Sequence, residues 1–261
     1  MKPLVIGMCH YGALPGDPGY DGKSLEEAAD KMLADVVALQ EGGVDVIMFS
    51  NEASQPWMLH NPSCVLYSMA AVIGRLKPYI KKPFGVHVIW DADSTVDLAA
   101  ATDADYAWEV FSGVYASDYG LWNGTPFQYL KKPYFNRKKV KLLCEVVPEA
   151  GVSIGNRSLV DRAVSVNDLL APDGVCIAGL KPGVPPSESI LQELKQKKVR
   201  IIASTGMRID NIETYLPLVD GFIVGSYFKK EGKLFQSVEK DRVKKFMDKI
   251  EILIRHSEIK N

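Results

Sequence analysis

Arg200-Ile-Ile-Ala-Ser-Thr-Gly-Met207 and Asp220-Gly-Phe-Ile-Val-Gly-Ser226 are two short β-branched runs, each stopping at a turn of glycine and hydroxyl residues. Residues 210–218 between them are helix-length, so the whole reads strand–turn–helix–strand–turn. Glycine lets a backbone approach a ligand closely, and free N–H groups at a turn or helix N-terminus attract negative charge. Both turns therefore suit a phosphate, with Ser204, Thr205, Gly206, Gly225 and Ser226 as its expected partners. In a (β/α)8 barrel the loops after the seventh and eighth strands are the usual phosphate site. The fold then turns on whether six more such units precede this one.

They do. Leu4 to Met8 reads as a buried first strand, followed by a glycine- and proline-rich loop. Ser24-Leu-Glu-Glu27 is a capping box, and the helix it opens carries Ala28, Met32, Val36 and Leu39 on one face before ending at Gly42-Gly43. Further apolar runs place strands at 44–49, 84–90, 105–111, 140–146 and 173–177. Helical patterns follow at 63–77, 95–101 (capped by Ser94), 159–170, 187–197 and 241–254. Residues 112–139 are aromatic and glycine-bearing without a periodic apolar face, and read as a long loop, either an active-site lid or a subunit contact. Strands that are continuously apolar rather than alternating belong to a parallel sheet covered on both faces. The expected fold is a single α/β domain over residues 1–261, a (β/α)8 TIM barrel. An open doubly wound sheet is disfavoured, because no G-x-G-x-x-G follows the first strand.

The chain of 261 residues suits one barrel of about 250. A net charge of −1 gives no electrostatic reason to expect nucleic acid or an anionic membrane. The basic stretch Lys131-Lys132 to Arg137-Lys138-Lys139 has no aromatic stacking platform and reads as a solvated surface. No apolar run approaches the roughly 18 residues of a spanning helix. Cys9, Cys64, Cys144 and Cys176 are scattered without a C-x-x-C pair, which points to a reducing cytoplasm rather than a disulfide framework.

Chemistry in a barrel sits at the carboxyl ends of its strands. Those ends supply His10, Asn51, Glu52, Asp91, Asp93, Glu109, Glu145 and Lys181 beside the two phosphate turns. His10 stands just past the first strand, where an imidazole can act as acid, base or metal ligand; the plain alternative is a loop hydrogen bond. Glu109 and Glu145 lie in apolar strands, so each either faces the barrel mouth or pairs with a basic neighbour. Asp91, Asp93 and Glu52 could hold a divalent cation through oxygen ligands, helix capping by Asp93 being the plainer account. Lys181 could anchor a phosphate or form a Schiff base, though it follows the strand rather than lying buried in it. His60 and His87 read as structural, and His256 as a tail residue.

Gly7-Met-Cys-His10 with Gly12-Ala-Leu-Pro-Gly16 resembles the opening M-x-H-x-x-A-L-P-G signature of the BtpA/SgcQ family. Four later stretches resemble successive barrel segments of that family: Gly43-Val-Asp45 with Asn51-Glu52 and Pro56-Trp57, Ser112-Gly113 with Ser117-Asp118 and Asn123-Gly124, Ser204 to Met207 with Asn211, and Asp220 to Ser226 with Lys229 and Gly232. The resemblance implies a ribulose-phosphate-binding type of TIM barrel, without an established general reaction. One family member is linked to biogenesis of photosystem I and another is encoded among sugar-uptake genes. The chain departs from the family pattern in places. Val147-Pro-Glu-Ala150 stands where many members carry Lys-His-Ala, Glu145 replaces an aspartate, Trp90-Asp91 replaces Asn-Asp, and Ser204-Thr-Gly206 replaces Gly-Ser-Gly.

The expected function is an isomerase- or lyase-like enzyme of the cytoplasm acting on a small phosphorylated metabolite, a sugar phosphate or a nucleotide-derived one. His10, Glu52, Asp91, Asp118 and Glu145 would face the substrate and Lys181 would join the phosphate turns. The alternatives are a non-catalytic assembly factor or ligand sensor, and a metal-dependent hydrolase; a divalent cation is left open as the cofactor, and a homo-oligomer is expected.

Overall fold

A computed structural model describes residues 2–146, 148 and 151–259, apart from the side chains of Phe127 and Ile259. Eight parallel strands close into a barrel: β1 (Leu4–His10), β2 (Val46–Ser50), β3 (Phe84–His87), β4 (Tyr106–Glu109), β7 (Lys141–Glu145), β9 (Gly174–Ile177), β10 (Ile201–Ala203) and β11 (Gly221–Val224). Going round the ring the order is β1-β11-β10-β9-β7-β4-β3-β2, and β1 closes it by pairing with both β11 and β2. Helices α1 (Leu25–Gly42), α2 (Ser63–Leu76), α3 (Ala92–Thr102), α5 (Leu159–Leu170), α6 (Glu188–Gln196), α7 (Ile212–Tyr215) and α8 (Lys240–Ile259) cover the outside. The expected TIM barrel is the observed fold.

The two-residue period of a strand separates two cores. On β1, Val5 and Cys9 pack outward into the large strand–helix core, while Ile6 and Met8 face inward with Val46, Met48, Tyr106, Leu143, Cys176, Ile202 and Ile223. The Ser24–Glu27 capping box is present, and Gly43 ends α1 at φ 97°.

Several local expectations are corrected. Residues 112–139 are not an irregular loop: they contain a hairpin, β5 (Gly113–Ser117) and β6 (Gly120–Gly124), then the short helix α4 (Pro126–Leu130). With β8 (Gly151–Ser153) the hairpin forms a separate antiparallel sheet, ordered β6-β5-β8. Short strands broken by glycine leave too brief an alternation to register as a pattern. The sheet is pinned to the barrel by Arg162 of α5, whose guanidinium lies 4.6 Å from the Tyr115 ring and donates to the Tyr115 hydroxyl and the Val146 carbonyl. Lys132 closes the excursion onto α3 through Asp93 (2.8 Å) and Asp97 (2.6 Å).

The third strand ends at His87 rather than running to residue 90. The chain turns there, Asp91 N–H donating to the Val88 carbonyl, and Trp90 takes φ 63°. The helix expected over 210–218 is only the four residues of α7, so the phosphate turn before it has no long helix dipole behind it. A 3₁₀ turn, Ser226–Phe228, follows β11. Among the described residues no helix is long and apolar enough to cross a membrane, and the cysteines are free, Cys64 exposed and the other three buried.

Candidate functional site

The inward faces of the strands are apolar until their last position, where the chemistry changes. Continuing the inward series of seven strands by one step reaches His10 after Met8, His87 after Gly85, Trp108 after Tyr106, Glu145 after Leu143, Ala178 after Cys176, Ser204 after Ile202 and Gly225 after Ile223; on the eighth, β2, the step reaches Ser50, which bonds His87. All seven line one cavity of about 440 Å³ at the carboxyl ends of the barrel strands. Glu52 and Trp57 from the β2–α2 loop, Trp90, and the turn 204–208 complete its sides, while Gly232 and Leu234 come from the segment after β11.

Buried polar atoms without a hydrogen-bond partner gather here. His10 Nδ1, Trp90 Nε1, Trp108 Nε1 and Ser204 Oγ are such atoms, and each belongs to a residue lining the cavity. An unsatisfied buried polar group costs about 1–3 kcal/mol, so four around one cavity mark a place arranged for a polar occupant.

The phosphate turns are shaped by their own backbone. Gly206 has φ 72°, and a Cβ there would lie 2.4 Å from the Pro185 nitrogen, so only glycine lets the turn after β10 sit against the β9–α6 loop. The β9–α6 loop is tied to the turn after β10 by Gly183 N–H donating to the Thr205 hydroxyl at 3.0 Å, and Asn211 holds the next step by donating to the Gly206 carbonyl at 2.9 Å. Gly225 lies directly against the imidazole: a Cβ there would stand 3.4 Å from His10 Cε1, at ordinary contact distance. Arg208, which no sequence motif marks, brings a cation to the same rim; its guanidinium also touches Asp210 at 3.2 Å.

His10 is held neutral. Burial lowers its pKa well below 6.5, and the charges of Lys229 and His87 push the same way, against a backbone hydrogen bond with Leu234. Lys229 is itself buried, paired with Asp35 at 3.0 Å. The other Asp35 oxygen accepts from Val238 N–H at 2.7 Å, so one aspartate of α1 fastens both ends of the segment carrying Leu234. Burial raises the Glu52 carboxyl, opposed by His87. His87 is bonded on both ring nitrogens, to Ser50 Oγ at 3.3 Å and to buried Glu109 at 3.1 Å. The sequence marks it as structural, yet it lines the cavity. Its inward parity on β3 is the available signal, hidden while the strand is taken to run to residue 90.

Of the expected residues, His10, Glu52, Glu145, Ser204, Thr205, Gly206, Gly225 and Ser226 meet in this cavity. Asp91 does not. It is the N-cap of α3, accepting from Ser94 N–H and Oγ–H at 3.0 and 2.8 Å and from Asn61 N–H at 2.7 Å, so its carboxylate is consumed in bracing two loops. It also takes the capping role expected of Ser94 and Asp93. Asp118 lies instead in a neighbouring, more apolar cavity of about 750 Å³ between the antiparallel sheet and the β9–α6 loop, which Glu145 also borders. Lys181 is exposed; its neighbours Pro182 and Gly183 reach the first cavity. Among the described residues no three His, Cys, Asp or Glu side chains stand together as a metal ligand set, and Asp93 is turned to Lys132. Of the departure noted at 147–150, Val147, Glu149 and Ala150 lie outside the described residues.

The BtpA family model matches residues 1–252. The chain belongs to the BtpA family. Within it, the sgc region protein SgcQ of Escherichia coli K12 is 38% identical over 95% of this chain and 94% of its own length. The photosystem I biogenesis protein BtpA of Synechocystis is 26% identical over 94% of this chain and 86% of its own length. The fold is shared with thiamine phosphate pyrophosphorylase of Pyrococcus furiosus, at 15% identity and a TM-score of 0.58 over 97% of this chain and 96% of that one. Phosphoribosyl anthranilate isomerase of Thermus thermophilus is similar at 11% identity and a TM-score of 0.54 over 96% of this chain and 99% of that one.

Proposed function

We propose that this BtpA-family protein is an enzyme that binds a small phosphorylated metabolite and moves a proton on it, in an isomerase- or lyase-like reaction. The observation that carries the reading is the set of unpartnered polar atoms around one cavity, on residues that include a neutral histidine. Backbone N–H groups of the 204–206 and 225–226 turns, the hydroxyls of Ser204, Thr205 and Ser226, and the Arg208 guanidinium cradle the phosphate. A neutral imidazole can take or give a proton near pH 7, and a carboxyl raised by burial is a stronger base than an ordinary one. His10 and Glu52, side by side on β1 and the β2 loop, are thus the acid–base pair, with Glu145 reaching the substrate from the other side of the ring. The names of thiamine phosphate pyrophosphorylase and phosphoribosyl anthranilate isomerase accord with a phosphorylated ligand in a barrel of this shape.

A thermal-shift screen against phosphorylated sugars, nucleotides and inorganic phosphate, with and without Mg²⁺ or Zn²⁺, tests the binding half. A ligand at about 100 times its Kd adds roughly 2.7 kcal/mol, a shift of a few degrees for a chain of this size. Ser226→Glu is expected to abolish phosphoester binding; unchanged binding in that variant overturns the phosphate placement. His10→Ala is expected to abolish turnover while leaving binding. Binding without turnover of any phosphoester would support instead a non-catalytic assembly role, the kind that the name of the Synechocystis relative suggests. Activity lost on chelation and restored by one added cation would support a hydrolase.

A further inference from the structure

The cavity has two unlike ends. Round the barrel, β11 and β10 are second and third from β1, while β4 and β3 are sixth and seventh, so the phosphate turns face the β3/β4 side directly across the mouth. That far side is aromatic. Trp57, Trp90 and Trp108, three of the four tryptophans, line the cavity, and the fourth, Trp122, supports Trp90 at 5.1 Å. The indole N–H groups of Trp90 and Trp108 have no partner, and an indole N–H can only donate. Whatever lies against this wall must offer acceptors beside an apolar face.

We propose that the tryptophan wall selects the ring of a closed-ring sugar phosphate, an inference that rests on the phosphate reading above. Such a ring has C–H groups on its faces, which suit the negative face of an indole, and oxygen acceptors round its rim, which suit the two N–H donors. A flat nucleobase fits less well, because it stacks on open, roughly parallel aromatic faces. Trp57 and Trp90 meet at 84°, Trp57 and Tyr119 at 60°, and Trp90 and Trp122 at 64°, which leaves no parallel slot. The nearest to parallel, His87 and Trp108 at 33°, are already in contact at 4.3 Å. A cavity of about 440 Å³ lies in the range of small-ligand sites. Phosphate at β10/β11 and a ring at β3/β4 would stretch the ligand across the mouth, past His10 and Glu52 on one flank and Glu145 on the other.

The test is equilibrium binding of the full chain, followed by calorimetry and by intrinsic fluorescence, which the wall itself supplies. The probes are a panel of pentose 5-phosphates and hexose 6-phosphates, with glycerol 3-phosphate, AMP and inorganic phosphate for comparison. The best sugar phosphate is expected to bind at least about tenfold more tightly than glycerol 3-phosphate or AMP and to change the tryptophan emission. Trp57→Leu should weaken it about tenfold, whereas inorganic phosphate should be unaffected. Trp57 N–H donates to the Glu52 carbonyl at 3.1 Å, so Trp57→Phe, which loses that bond but keeps an aromatic face, separates stacking from loop support: it should retain most of the affinity. Trp108→Phe keeps the face, loses the donor and should cost about 3- to 10-fold. Equal or tighter binding of AMP or glycerol 3-phosphate, or a neutral Trp57→Leu in a folded protein, overturns the wall while leaving the phosphate site standing. Failure of every probe, inorganic phosphate included, overturns the phosphate reading and this inference together.

Discussion

The two walls of the barrel mouth are made by different means. The β10/β11 wall is backbone: two glycine turns, one locked onto the β9–α6 loop by the absence of a Cβ at Gly206, beneath a segment fastened by Asp35. The β3/β4 wall is side chain: tryptophans from three separated stretches, backed by a small antiparallel sheet that is no part of the barrel. A backbone wall can serve an invariant group such as phosphate, because N–H groups are the same whatever the residue. A wall of side chains can be changed one residue at a time, which is where selectivity is to be sought.

If the contrast holds, each wall fails in its own way. Asp35→Ala should have the largest effect, since it strands the buried Lys229 ammonium and frees both ends of the 229–238 segment. The expected loss is about 3–5 kcal/mol in urea unfolding. A loss below about 1 kcal/mol would mean that the segment is held by something else. Gly206→Val should cost about 2–3 kcal/mol from the left-handed backbone and the clash with Pro185, and should weaken inorganic phosphate binding in calorimetry without altering the tryptophan near-UV signal. Arg162→Met is the converse. Losing its bonds to Tyr115 and Val146 should cost about 1.5 kcal/mol and loosen the tryptophan wall, seen as a weakened near-UV signal, with phosphate affinity intact. Should either variant damage both walls equally, the division is wrong.

The smallest effect is the pH response of His10, which sits between the walls. Its folded pKa lies below 6.5, so as the pH falls through about 6.5 the unfolded chain takes up this proton first, and stability is lost toward acid. Compared with His10→Asn, the native chain should lose about 1 kcal/mol more between about pH 7 and pH 5.5. Glu52 runs the other way. Its raised pKa favours the neutral carboxyl in the fold, a contribution lost as pH rises through its folded value, and the same in both proteins, so the difference between them isolates the histidine.

The backbone wall is legible in the sequence because its signals are local. A strand that stops at Ser204-Thr-Gly206 or Gly225-Ser226 announces a turn by residue type alone. His10 and Glu52 are legible as strand-end polar groups. Asp91 misleads because the same position that ends an extended run also caps a helix, and only the approach of Asn61 and Ser94 shows that its oxygens are taken. His87 passes for a structural residue, and Trp108 and Arg208 lie in no motif. Trp57 falls within a family segment and Trp90 stands at a departure from the family pattern, but nothing in either says that the two indoles meet.

The sequence by itself determined the alternation of eight apolar strands with helices, the ends of the first helix, and the glycine turns at the last two strands, all properties of neighbours along the chain. Only the tertiary structure decided which of the two faces of each strand points inward, and hence that His10, His87, Trp108, Glu145 and Ser204 share one cavity. It alone also decided that residues 113–124 and 151–153 form a second sheet behind the tryptophans. The physical reason is that a strand's period of two offers two equivalent faces, and the choice between them is made by closure of the barrel, through contacts between residues far apart in the chain.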